Sequence, residues 1–130
     1  MKPTAIVATV LILLRQLVAM LHGLAHEQLS VDLSKWQQWF VLIVITIAPL
    51  VSLVLFWTSR ARLGALLLWT SMLAGVLFGV YHHFIAVSID HVSHLPPGEA
   101  RPLFIATAIL LVPTELAAMA FGLWSWRKLP

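Results

Sequence analysis

Four apolar runs, at about Thr4–His26, Trp39–Thr58, Leu63–Val87 and Pro102–Trp126, occupy most of the 130 residues. Each approaches or exceeds the ~20 residues a helix needs to cross a hydrocarbon core of ~30 Å. Lipid offers backbone N–H and C=O groups no partner, so runs of this length must satisfy themselves as α-helices. The remainder is two short polar loops, Glu27–Gln38 and Ser88–Arg101, a tight Arg-containing turn and brief ends. The expected architecture is an all-α integral membrane protein, a single four-transmembrane-helix bundle over residues 1–130. Composition agrees, with 61% hydrophobic and 10% charged residues, where a soluble domain carries about 25% charged residues. This excludes a soluble enzyme and a disordered chain. Eight Lys and Arg against five Asp and Glu are too sparse for a phosphate-binding patch, so no nucleic-acid partner is expected. Cysteine is absent, which removes disulfides, thiolate metal sites and thiol catalysis.

The sparse charges carry topology instead. Lys2, Arg60, Arg62, Arg127 and Lys128 fall on one side of the four runs, and only Lys35 and Arg101 on the other. The richer side is expected to be cytoplasmic, which places both termini inside and both longer loops outside, in a plasma (inner) membrane. Trp36, Trp39, Trp57, Trp69, Trp124 and Trp126 sit mostly near run ends, as an interfacial belt would. The first run is expected to be a retained span, because Arg15 interrupts it and no small-x-small cleavage site follows. Pro49 and Pro113 lie inside the second and fourth runs, where each frees a carbonyl. Thr46 and Thr114 are expected to help satisfy the freed groups.

Counting depth at 1.5 Å per residue puts Arg15 and Glu115 both roughly 16 Å from the inner boundary, near the middle of the membrane. A lone charge there costs about 2.5–3.5 kcal/mol, so the two are expected to form an intramembrane ion pair. The same count puts His22 at roughly 27 Å and His82 at roughly 28 Å. His83 and His26 lie slightly further out, and His91 and His94 follow in the outer loop with Asp90 and Glu99. All six histidines therefore gather toward one side.

At 100° per residue, Arg15, His22 and His26 share one face of the first span. His22-x-x-x-His26 has the i, i+4 spacing that lets two imidazoles chelate one ion. On the third span, Ser71, Gly75, Gly79 and His82 or His83 share a stripe, and Gly75-x-x-x-Gly79 admits a close neighbour. Were that neighbour the first span, His22 would face His82 or His83. The candidate metal set is thus His22, His26, His82 and His83. Glu27, Asp90, His91 and His94 are further ligands or acceptors for imidazole N–H groups.

Nitrogen and oxygen donors without thiolate suit Zn, Cu(II), Fe or Ni. Two histidines on separate spans also suit a b-type haem. The HxxxH and HH elements resemble fragments of the histidine boxes of membrane fatty-acid hydroxylases and desaturases. Those boxes hold more histidines and face the cytoplasm. The four-span, paired-histidine plan is similar in outline to membrane b-type cytochromes. These resemblances imply a transition metal or haem and a role in metal handling or electron transfer. Two other readings remain open: an accessory subunit of a homo-oligomer or larger membrane complex, and a small proton-coupled transporter using Glu115. No Ser-His-Asp order, phosphate-binding loop or HExxH motif is present.

Overall fold

A computed structural model describes residues 3–130; Lys2, counted above among the basic residues of one side, lies outside them. Four helices are each long and apolar enough to cross a membrane: α1 (Pro3–Gln28), α2 (Lys35–Phe56), α3 (Ala61–Ile85) and α4 (Arg101–Lys128). There are no strands among the described residues. Each helix packs on its chain neighbours and α4 closes back on α1, so the four form a ring; the α3–α4 contact is the most extensive and α1–α2 the slightest.

The helix limits follow local chemistry. α2 starts ahead of its apolar run because Ser34 and Gln37 form a capping box, each side chain taking the other's backbone N–H. α1 ends where Ser30 takes a left-handed φ of 52°. There Val31 N–H reaches back to His26 O (3.0 Å) and Ser30 N–H to Glu27 O (3.1 Å), a Schellman closure. α2 widens to π geometry over Val41–Ile47, just ahead of Pro49, and α3 does so over Tyr81–Ile85. The threonines are not what answers the prolines. Thr46 Oγ1 donates to Val41 O and Thr114 Oγ1 to Leu110 and Leu111 O, whereas the carbonyl that Pro49 strips of its i+4 donor belongs to Ile45.

Buried positions on α1 are Ala5, Ala8, Ile12, Arg15, Val18, His22 and Ala25. These steps of three and four are the spacing of a coiled-coil seam. On α4, Phe104, Ala108, Glu115, Ala118, Gly122 and Ser125 follow the same rhythm. Large apolar side chains such as Val10, Leu13, Leu17, Leu77 and Ile109 point outward and stay exposed. Two apolar clusters cap the ends of the bundle. One, around Ile12, Phe56, Leu68 and Met72, lies toward the chain termini. The other, around Ala25, Leu95, Phe104 and Ala108, lies beneath the loop joining α3 to α4.

The helices approach most closely at the terminal end. A Cβ on Gly122 would stand 2.8 Å from Trp69 N and 3.1 Å from Ala65 O, and one on Gly64 would stand 3.0 Å from Ser52 O. Because backbone cannot step aside as a side chain can, Gly122→Ala should destabilise the bundle by about 1–3 kcal/mol. Thermal unfolding in detergent measures this, and an unchanged transition would show that α3 and α4 separate freely.

Candidate metal centre

Halfway along the bundle, the Arg15 guanidinium joins three helices. Its Nη2 forms a short ion pair with Glu115 Oε1 of α4, and Nε donates to the same oxygen (3.2 Å). Nη1 donates to Ile45 O of α2 (2.7 Å) and to Gln16 Oε1 (2.8 Å). Gln16 Nε2 in turn donates to Thr46 O (2.8 Å). Arg15 thereby donates to the carbonyl whose i+4 residue is Pro49. Gly75 makes room for the carboxylate, since a Cβ there would lie 2.9 Å from Glu115 Oε1. The small-residue stripe of α3 thus accommodates Glu115 of α4, and not the approach of α1 that its spacing suggests.

Two helical turns beyond Arg15 the structure brings together His22, His26 and His83. One ring nitrogen from each lies within 4.8 Å of the others. His82 does not join them. Adjacent helical residues point about 100° apart, and His82 turns toward α2, where its Nδ1 meets Gln37 Nε2 at 3.3 Å and its ring packs on Trp36 and Phe78. Glu27 is exposed. His91 and His94 pair with each other nearer the surface, Nδ1 to Nδ1 at 3.4 Å. Asp90 does come to the group, because the loop after α3 folds back and ties Val92 N–H to His83 O (3.0 Å).

The partners of the three rings fix their tautomers. His26 Nδ1 lies 3.0 Å from Val31 O, and His83 Nδ1 lies 3.1 Å from Asp90 O. A carbonyl only accepts, so each Nδ1 carries hydrogen. His22 Nδ1 lies 2.9 Å from Thr107 Oγ1. That hydroxyl donates to Leu103 O (2.7 Å), so it accepts from His22. In the neutral rings, each Nε2 is then left with its lone pair. His22 Nε2 and His83 Nε2 face each other at 3.1 Å, and His26 Nε2 faces the Asp90 carboxylate at 3.3 Å. Both are contacts between acceptors, and a positive centre relieves both. Phe104, fully buried, packs against all three imidazoles at ring distances of 4.6, 4.7 and 5.5 Å.

The sequence alone did not single out Thr107, Phe104 or Gln16. The i, i+3 pair Phe104 and Thr107 at the start of the fourth span was the available signal, since it lies at the depth of the histidines.

A cavity of about 590 Å³ runs from Arg15 and Glu115 to the histidines and Asp90. Small residues on α1 and α3 and aliphatic ones on α2 form its walls. No family model, no curated protein and no solved structure matches the chain.

Arg15 is 1% exposed and Glu115 3%. Glu115→Gln leaves the guanidinium buried without a counter-charge and should cost about 3–5 kcal/mol of stability. Adding Arg15→Met should recover part of that loss. Equal melting temperatures for wild type and Glu115→Gln would remove the pair from any role in packing.

Proposed function

We propose that this chain is an integral membrane protein that binds one divalent transition metal ion through His22, His26 and His83, near the outer face of the membrane, for metal handling or electron transfer. The observation that carries this reading is the convergence of three imidazoles whose Nδ1 atoms are all engaged as donors, leaving Nε2 lone pairs turned on one another and on a buried carboxylate. Imidazole ligands characteristically donate their second nitrogen to a carbonyl, carboxylate or water, which orients the ring and raises its basicity. Metal–nitrogen bonds of about 2.0–2.1 Å in a tetrahedron set neighbouring donors about 3.3 Å apart. The 3.1 Å between His22 and His83 Nε2 approaches that edge. Three histidines leave a fourth position open, and Asp90 supplies negative charge beside it. Nitrogen donors without sulfur favour Cu²⁺ and Zn²⁺.

A b-type haem suits this geometry less well. Its iron takes axial nitrogens from opposite faces of a flat macrocycle, about 4 Å apart along two in-line bonds. His22 and His83 instead meet edge to face with ring centres 4.7 Å apart, which leaves no plane for a porphyrin between them.

The membrane reading draws on the four apolar helices and the exposed aliphatic residues along their outer faces. Arg60, Arg62, Arg127 and Lys128 lie at the terminal end of the bundle, with Arg62 over the Trp126 ring at 5.9 Å. Lys35 and Arg101 begin helices at the other end. The basic end is the cytoplasmic one under the positive-inside rule, which sets both termini inside and the histidines toward the outer leaflet.

The metal reading is tested by stripping the purified protein with a chelator and titrating it with Zn²⁺ or Cu²⁺. One ion should bind per chain. At a hundred-fold excess over the dissociation constant, it should stabilise the bundle by about 2.7 kcal/mol. His22→Ala with His83→Ala should abolish both effects. Absence of saturable binding, or equal binding by the double variant, would refute the metal centre and leave the three imidazoles as a proton-sharing group.

A further inference from the structure

The cavity is kept open by residues that could be larger. A Cβ on Gly23 would meet nothing within 4 Å, and one on Gly79 would meet only His83 Cδ2 at 3.9 Å. Glycine inside a helix is less stable than alanine, and unfilled space forfeits the dispersion contacts of its lining. At Gly64 and Gly122 close packing offsets that cost; at Gly23 and Gly79 nothing in the protein does. Met20, Gly23 and Leu50 line the cavity and are exposed, so its mouth lies between α1 and α2, where those two helices touch least. These three residues belong to the apolar spans, so the mouth faces hydrocarbon.

A second observation points to a ligand. Asp90 is only 6% exposed and lines the cavity; its Oδ1 lies 3.2 Å from His83 Nδ1 and 3.3 Å from His26 Nε2 without a hydrogen bond to either, and its Oδ2 has no hydrogen-bond partner among the described residues. At the opposite end Glu115 Oε1 is held by Arg15. The acceptors left over are the Asp90 carboxylate oxygens, with the imidazole Nε2 lone pairs beside them. They repel phosphate and carboxylate heads and accept from O–H. The volume falls within the roughly 300–1,000 Å³ typical of small-molecule pockets.

We propose that the cavity binds a neutral, hydroxyl-headed lipophile drawn from the membrane, its tail leaving between α1 and α2 past Gly23 and its hydroxyl donating to Asp90 beside the three histidines. This rests on the membrane reading and not on a bound metal. Aliphatic alcohols and phenols share the required chemistry, and the test separates them.

The whole chain, reconstituted in lipid nanodiscs, is titrated calorimetrically with decyl hydroquinone, decanol and decyl phosphate. One of the two hydroxyl probes should bind saturably at one per chain, and the tighter of them identifies an aromatic or an aliphatic head. Decyl phosphate should not bind saturably. Gly23→Leu adds bulk at the mouth, where a Cβ meets nothing within 4 Å, and should weaken binding at least about tenfold in protein that still shows a cooperative melting transition. Gly79→Leu plugs the opposite wall and should do the same. Asp90→Asn should weaken the hydroxyl probes. No saturable binding, equal binding in both plugged variants, or equal binding of the phosphate overturns the proposal. Failure of the metal titration beside retained probe binding removes the metal reading alone.

Discussion

One guanidinium holds the middle of this bundle. Arg15 is almost completely buried, in a setting where an unpaired charge is severely penalised. Its hydrogen bonds meet three separate needs: the Glu115 carboxylate, the Ile45 carbonyl and the neighbouring Gln16 amide. The Ile45 carbonyl cannot take the i+4 N–H of a regular α-helix because residue 49 is proline. A proline on α2 and an arginine on α1 are each unfavourable alone in an apolar helix. Facing each other, each supplies what the other lacks. Glu115 completes the arrangement with the counter-charge, and Gly75 with the space. The interaction consequently specifies register among α1, α2 and α4 more sharply than apolar packing would, since aliphatic side chains tolerate small slides and a buried charge does not.

That register reaches the histidines through the seam. Arg15 and His22 are seven residues apart, so they occupy equivalent positions on the buried stripe of α1. Fixing one fixes the azimuth and height of the other. On α4, Thr107 lies eight residues before Glu115, also on the buried side, which brings its hydroxyl to His22. The third helix contributes His83 through its final, π-widened turn, and the loop beyond it returns Asp90 to the same place. The ion pair thus sets the heights of α1 and α4, and α3 and its loop join them at this level through His83 and Asp90.

Much of this was legible from residues alone. The four helices follow from run length and backbone hydrogen bonding. Equal depth for Arg15 and Glu115 follows from counting rise, and so does a shared level for the first- and third-span histidines. What escaped is set by contacts that periodicity does not encode. His82 and His83 differ by one step of rotation, and the choice between them depends on a widened turn and on Gln37, which waits on a neighbouring helix to receive His82. The early start of α2 was hidden because Lys35, Gln37 and Gln38 read as loop, although Ser34 and Gln37 carry the capping pattern. Asp90 reaches the histidines by an irregular loop, for which sequence spacing gives no geometry. The glycine stripe of α3 was visible as small residues, but what fills the space beside Gly75 is a carboxylate.

The glycines divide the molecule into two halves with opposite logic. Toward the termini, Gly64 and Gly122 let backbones touch, and the cluster around Phe56 and Leu68 is closed. Beyond Arg15, Gly23 and Gly79 hold space apart while α1 and α2 diverge. A bundle opened at one end would relax by sliding its helices together unless something opposed the slide. The opposing elements are the Arg15 network at the base of the cavity and Phe104 with the folded-back loop at its top. Apolar collapse at the closed end supplies the stability that lets the other end keep a void, three facing imidazoles and a buried carboxylate. This is the usual division between a stabilising scaffold and a locally unfavourable site that the scaffold tolerates.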